Sequence, residues 1–167
     1  MITDSNQQKV VVVNDDRVQR ELLLGILKKG GFIGEGFPDA IQALKALSRM
    51  PNPPQLVVTD LRMPLMDGWQ FCRLLRSPEH TRLNKVPILI VSATFAGQDA
   101  RQLCHDAGAD AFLAAPVALE TFLETVRNLI AGKPQYTPAR VMLIEQNQAD
   151  AAALASGLRT HGYELVL

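Results

Sequence analysis

Excess charge of one sign, long apolar runs and clustered cysteines are all missing from this chain. Its 17 Lys and Arg residues match its 17 Asp and Glu residues, so the formal net charge is zero at pH 7. This balance argues against a nucleic-acid binder that relies on bulk positive charge, and we expect no direct nucleic-acid binding by this segment. The apolar runs are strand-sized, so we expect no membrane-spanning helix.

Cysteine is scarce, and its two copies, Cys72 and Cys104, lie far apart in the sequence. Such a pair makes neither a zinc site nor a disulfide framework, and both residues are predicted to be buried free thiols. The polar segment Met1–Gln8 shows no signal peptide. We therefore expect a disordered or extended N-terminus and a cytoplasmic location.

Apolar segments are present in quantity, and they alternate with segments of helical period. The predicted strands are Lys9–Val13, Phe32–Phe37, Gln55–Asp60, Val86–Ser92 and Ala111–Ala114. Helical periods or helix signals follow each of them, the last helix being Leu119–Ile130. Alternating strands and helices joined by short loops predict a flavodoxin-like, doubly wound α/β domain over residues 9–132. Its five-stranded parallel sheet is expected in the order 2-1-3-4-5, with helices on both faces.

An internal repeat follows a proline-containing linker at residues 133–139. Residues 140–165 align without a gap with residues 9–34, so that Val141 matches Val10 and Gly162 matches Gly31. Any strand-helix unit would look partly similar, but the gapless match favours duplication. Residues 140–167 are therefore predicted to be a βαβ fragment that begins a second, truncated copy of the first domain. A fragment of this size cannot bury its own apolar face, so we expect either a longer protein or a tail that packs against something else.

Acidic residues stand at the ends of two predicted strands. Asp15 and Asp16 follow the first strand and Asp60 ends the third, its neighbour in the expected sheet order. Two unit charges 4 Å apart repel by roughly 4 kcal/mol at an effective dielectric constant near 20. Because Mg²⁺ relieves such repulsion and prefers oxygen ligands, three converging carboxylates predict a magnesium site. One carboxylate could then attack an electrophile such as phosphorus.

Simpler roles exist for the same acids. Asp15 and Asp16 could cap the following helix, which is commonly worth about 1 kcal/mol. Asp60 could cap the loop before Pro64. The combination of three acids at strand ends favours the metal site over these alternatives.

Four segments together resemble the receiver (CheY-like) domain of response regulators. VVVNDD resembles the acidic pair of that family, and VVTDLRMPLMDG resembles its phosphoacceptor segment. ILIVSA resembles the strand that ends in a switch hydroxyl, and DAFLAAP resembles the last strand. The resemblance covers residues 9–132 and implies a phosphorylated signalling domain of a two-component phosphorelay.

The family's roles fall on particular residues of this chain. The resemblance implies that Asp60 is the phosphoacceptor and that Mg²⁺ is held by Asp16, Asp60 and the backbone carbonyl of Arg62, with Asp15 assisting. It implies that Ser92 donates a hydrogen bond to the phosphoryl group and that Phe112 is the aromatic switch. Residues 95–101 and Phe112 would form the surface that changes.

One position departs from the family pattern. Ala115 precedes Pro116, where the family usually has a lysine that contacts the phosphoryl group. The resemblance also implies a cis Ala115–Pro116 bond. Arg62 is a candidate replacement for the missing cation. In the second unit, Gln146 and Asn147 match Asp15 and Asp16, so its metal site is expected to be degenerate.

These observations favour one function over two others. The favoured function is a receiver that takes a phosphoryl group from a sensor histidine kinase or a histidine phosphotransfer protein. It would regulate an output domain in the same longer chain, and a homodimer is left open. The alternative is a non-phosphorylated pseudo-receiver that binds proteins or dimerises. A metal-dependent phosphatase would need a further acid or base, and none is visible.

Overall fold

The computed structural model describes residues 8–93, 98–133, 140–142, 150, 152–156 and 164–166. The chain divides into two compact units, Met1–Gln135 and Tyr136–Leu167. Within the described ranges, no helix combines the length and the apolar character needed to cross a membrane. Most of the predicted N-terminal segment and of the predicted linker lies outside these ranges.

The first unit is a five-stranded parallel sheet covered by helices. Its strands are β1 (Lys9–Val13), β2 (Ile33–Phe37), β3 (Leu56–Thr59), β4 (Ile88–Ser92) and β5 (Ala111–Ala114). Its helices are α1 (Arg17–Lys29), α2 (Ala40–Arg49), α3 (Gly68–Leu75), α4 (Gln98–Asp106) and α5 (Leu119–Ile130). The order β2-β1-β3-β4-β5 confirms the predicted doubly wound fold.

The centre of the sheet is apolar on both faces. Val10 to Val13 of β1 are completely buried, because β1 lies between β2 and β3 and helices cover the sheet. One core cluster joins β1, β3, β4 and β5 to α1 and α5, with Phe122 and Leu27 among its fully buried side chains. A continuous β-branched run such as that in β1 is typical of a strand buried on both faces.

Arg76, the C-cap residue directly after α3, connects several segments at the edge of the sheet near β4 and β5. Its Nη2 atom lies 2.7 Å from Oδ2 of Asp110, which also accepts a hydrogen bond of 2.8 Å from the amide of Ile88. Its guanidinium also donates to the backbone carbonyls of Gly108 (2.8 Å), Val86 (2.8 Å) and Asn84 (3.1 Å). A single side chain therefore links α3, the loop before β4 and the loop before β5.

Cys72 and Cys104 are both free and buried, as predicted. Cys72 lies in α3 and Cys104 in α4. Burial raises the pKa of each thiol to about 12. Both side chains are therefore neutral at physiological pH and behave as small apolar groups.

The second unit contains a short parallel pair of strands, β6 (Arg140–Met142) and β7 (Glu164–Val166). Residues 152–156, between them in the sequence, are helical. Arg140 pairs with Glu164 and Val141 with Leu165.

Candidate functional site

Asp60 stands directly after β3, and its own loop holds its carboxylate. The Asp60 amide donates to the carbonyl of Val13 (3.0 Å), which continues the pairing of β3 with β1. Its Oδ1 atom accepts hydrogen bonds from the amides of Leu61 (2.6 Å) and Arg62 (3.4 Å). Within the described part of the chain, Oδ2 has no hydrogen-bond partner. The carboxylate is thus oriented through one oxygen while the other remains available.

Gly68, the first residue of α3, lies against the backbone of Asp60. A Cβ atom at this position would be 2.2 Å from the carbonyl oxygen of Asp60 and 2.8 Å from the Cα of Leu61. The Gly68 amide also donates to the carbonyl of Leu61 at 2.9 Å. The Asp67 side chain caps α3 by accepting from the amide of Gln70 at 2.8 Å. The start of α3 therefore fixes the backbone that carries Asp60, and only glycine fits at the contact.

Leu65 forms the tip of the same loop. Its φ is 71°, in the left-handed region that non-glycine residues seldom adopt, and it is 85% exposed. The amide of Met66 donates to the carbonyl of Pro64 at 2.8 Å, which closes a tight turn around Leu65. No pattern in the sequence pointed to this conformation.

The two acids after β1 occupy different positions. Asp16 is the N-cap of α1, and its Oδ1 atom accepts from the amides of Val18 (2.7 Å) and Gln19 (3.0 Å). Asp15 is exposed and lines the cleft described below. The capping role considered for these acids is thus observed for Asp16, while a role for either residue in metal binding stays a prediction.

Asn14 is a polar residue of the site that the sequence did not single out. Val13 pairs with Thr59, so the residues that follow them, Asn14 and Asp60, leave the sheet side by side. Asn14 is 1% exposed, and its Oδ1 atom accepts from the amide of Asp16 at 2.8 Å. The strand ends at Val13, two residues before the first acid, and counting from that end would have identified Asn14 as the neighbour of Asp60.

An open cleft of about 580 Å³ lies beside the loop that carries Asp60. It is lined by Asp15, Leu61, Arg62, Met63, Pro64, Asp67 and Trp69. Across the described ranges, no three His, Cys, Asp or Glu side chains are grouped closely enough to hold a metal ion. The Asp16 carboxylate is engaged in capping α1 in this structure, and the convergence of Asp15, Asp16 and Asp60 on a metal ion stays a prediction.

The donor chemistry that remains still suits a hard cation. Asp15 supplies an exposed carboxylate on the lining of the cleft, and Oδ2 of Asp60 has no partner in the described part of the chain. Arg62 also lines the cleft, and its backbone carbonyl is a further oxygen that could bind a cation. Mg²⁺ is commonly bound by one or two carboxylates with waters completing its coordination. The residues present therefore fit the magnesium ion expected from the sequence.

Ser92 and Phe112, the predicted switch residues, are both buried. Ser92 ends β4 and is completely buried, and its carbonyl accepts from the amide of Ala115 at 2.9 Å. Phe112 lies in β5, pairs with Ile90 and is 2% exposed. Residues 95–97, part of the predicted changing surface, lie outside the described residues. The switching roles of Ser92 and Phe112 stay predictions.

The Ala115–Pro116 bond is cis, as expected from the resemblance. Ala115 and Pro116 line a second, largely apolar cavity of about 260 Å³ together with α1 residues such as Leu22 and Ile26. The end of β5 therefore presents a methyl group, and no cation comes from this position.

Comparisons with known proteins agree with this geometry. A family model described as the response regulator receiver domain matches residues 10–127. The response regulator MprA of Mycobacterium sp. (strain KMS) is 38% identical over 122 residues, 73% of this chain and 50% of that protein. MprA of Mycobacterium ulcerans is 34% identical over 146 residues, 87% of this chain and 56% of that protein. The chain thus spans about half the length of these curated relatives.

Solved structures show the same fold. The receiver domain of sensor histidine kinase PA1611 from Pseudomonas aeruginosa has a magnesium ion coordinated in its active-site cleft. It is 26% identical with a TM-score of 0.66, and the match covers 75% of this chain and 98% of that one. The chemotaxis response regulator CheY4 of Vibrio cholerae is 24% identical with a TM-score of 0.65, covering 74% of this chain and 98% of that one.

Proposed function

Because the chain belongs to the response regulator receiver domain family of two-component signalling, we propose that it accepts a phosphoryl group from a phosphohistidine onto Asp60. The donor would be a sensor histidine kinase or a histidine phosphotransfer protein. The observation that carries the proposal is the carboxylate of Asp60, oriented through Oδ1 and unpartnered at Oδ2. A nucleophile held in this way loses little orientational freedom in the reaction.

The transfer itself needs few groups. Oδ2 of Asp60 attacks phosphorus in line with the bond to the donor, and a new O–P bond forms. The P–N bond breaks, and its electron pair stays on the imidazole nitrogen of the donor. The amides of Leu61 and Arg62 keep the carboxylate oriented during the attack. A bound Mg²⁺, held by Asp15, Asp60 and the carbonyl of Arg62, would supply the positive charge that neutralises the phosphoryl oxygens.

Intact mass measurement after incubation with Mg²⁺ and acetyl phosphate tests the proposal. We expect one phosphoryl group on the wild-type chain and none on Asp60→Asn, because an amide is not a competent nucleophile here. Asp67→Asn is the matched control, since asparagine also caps helices well, and it should still be phosphorylated. A wild-type chain that takes up no phosphoryl group would instead support the pseudo-receiver alternative, to which Ala115 lends some weight.

The positions of Asp15 and Asp16 predict different contributions to Mg²⁺ affinity. Asp15→Asn removes a carboxylate from the cleft and should weaken Mg²⁺ binding by about tenfold or more, since about 1.4 kcal/mol corresponds to tenfold. Asp16→Asn keeps a good cap, and we expect it to change the affinity by less than about threefold. Trp69 is the single tryptophan and lines the cleft, so its fluorescence can report the titration.

A larger loss of affinity in Asp16→Asn than in Asp15→Asn would contradict this assignment. It would mean that the Asp16 carboxylate leaves the α1 N-terminus to bind the ion. Circular dichroism of both variants distinguishes that outcome from a loss of helix.

The second unit is proposed to be the beginning of another receiver-like repeat. Its strand register supports this. Arg140 pairs with Glu164, and the offset that aligns Val10 with Val141 maps this pair onto the observed pair Lys9 and Ile33. Gln146 and Asn147, at the positions of the acids, lie outside the described residues. We propose that the first unit regulates an output domain in a longer chain, since its curated relatives are about twice as long as the matched region.

A further inference from the structure

The cleft beside Asp60 contains one basic side chain, that of Arg62, among its lining residues. Asp15 and Asp67 line the same cleft, and Asp60 adds a third carboxylate close by. Arg62 is exposed, and within the described part of the chain its guanidinium makes no hydrogen bond or ion pair. A cation is thus present beside the nucleophile without being committed to a structural contact.

Two other positions near the strand ends supply no free cation. Arg20 donates from Nη1 to the carbonyl of Asn14 at 2.6 Å, a contact that holds its guanidinium at the end of β1. Ala115, at the end of β5, carries no charge. Phosphorylation adds about −1.5 to −2 charges at neutral pH. Since carboxylates already surround the cleft, a cation other than the metal ion would stabilise that added charge.

We propose that the Arg62 guanidinium binds the phosphoryl group on Asp60 and stabilises it during and after transfer. This inference rests on the proposed function and adds a residue to it. The amide of Arg62 is 3.4 Å from Oδ1 of Asp60, so the arginine side chain begins beside the acceptor. The planar guanidinium can donate two parallel hydrogen bonds to phosphoryl oxygens, which an ammonium cannot reproduce in the same geometry.

The backbone carbonyl and the guanidinium of Arg62 have different proposed roles, which can be tested separately. Its backbone carbonyl, proposed to bind Mg²⁺, remains in every substitution. Its guanidinium is removed in Arg62→Met and replaced by a point charge in Arg62→Lys. A loss of phosphoryl uptake at unchanged Mg²⁺ affinity is therefore the signature of the side chain.

Rates of phosphoryl uptake from acetyl phosphate at saturating Mg²⁺ provide the test. In this reaction the O–P bond to Asp60 forms while the P–O bond to acetate breaks, and acetate leaves with the electron pair. We expect Arg62→Met to react about 10- to 100-fold more slowly, the range for one lost charge-assisted hydrogen bond. Arg62→Lys should be intermediate. Arg49→Met, an exposed arginine at the end of α2, is the matched control and should react within about twofold of wild type.

A double-mutant cycle with Ala115→Lys completes the experiment. A lysine at position 115 should accelerate Arg62→Met more than it accelerates the wild type, because the two cations would serve the same phosphoryl group. Uptake by Arg62→Met within twofold of wild type, or equal acceleration by Ala115→Lys in both backgrounds, would overturn the inference and leave Asp60 as the acceptor. Absence of uptake by the wild type would remove the proposed function and this inference with it.

Discussion

Substitution of Arg76 by methionine is expected to lower the free energy of unfolding by about 3 kcal/mol. Methionine keeps much of the aliphatic stem but leaves the Asp110 carboxylate without its cation and three backbone carbonyls without their donor. The side chains of Arg76 and Asp110 are 23% and 33% exposed, so water replaces these contacts only in part. Urea denaturation followed by circular dichroism measures the loss.

Arg73 provides the control for Arg76 because it lies in the same helix and is exposed. Arg73→Met should change the stability by no more than about 0.5 kcal/mol, as is usual for surface positions. Equal losses of stability in the two variants would mean that the hydrogen bonds and ion pair of Arg76 add nothing to the stability beyond the effect of removing one positive charge from this helix. The double variant with Asp110→Asn should lose less than the sum of the single losses, since the two residues share one contact.

Substitution of Gly68 by alanine is expected to cost about 3 kcal/mol of stability and to slow phosphorylation as well. The added Cβ would lie 2.2 Å from the carbonyl oxygen of Asp60, and backbone atoms cannot yield as a flexible side chain does. Relief of this contact must move the start of α3 or the backbone of Asp60. Chemical denaturation measures the first effect, and the rate of uptake from acetyl phosphate measures the second.

Gly25 is the matched control for Gly68, because it lies within α1 and a Cβ there would have no neighbour within 4 Å. Gly25→Ala should stabilise the chain by about 0.5–1 kcal/mol, since alanine has the higher helix propensity. The two glycine substitutions thus have opposite expected signs. A Gly68→Ala variant as stable and as reactive as wild type would show that the acceptor loop adapts without cost.

The fold could be predicted because its signals are local and repeated. The apolar run of β1 and the helical period of α1 are each readable in a short window, and their alternation determines the parallel sheet. The observed strands of the first unit and α5 lie within about two residues of the predicted bounds, an accuracy that suffices to place Asp60 at the end of β3.

The site was harder to predict because adjacent residues of the same type have different roles in it. Asp15 and Asp16 are equivalent as letters in a sequence, yet one lines the cleft and the other caps a helix. The register of β1 against β3, which places Asn14 beside Asp60, depends on pairing between distant segments. The contacts of Arg76 with residues up to 34 positions away leave no local signal either.

The pairing of the Asp60 amide with Val13 has a consequence for motion. β1 is an interior strand whose residues Val10 to Val13 are completely buried, and we expect an amide bonded to it to exchange its hydrogen with solvent only when much of the domain opens. The reactive oxygen is therefore separated by a few covalent bonds from one of the slowest-exchanging parts of the backbone. Side chains at the rim of the cleft can rotate rapidly while the backbone that carries Asp60 stays in place.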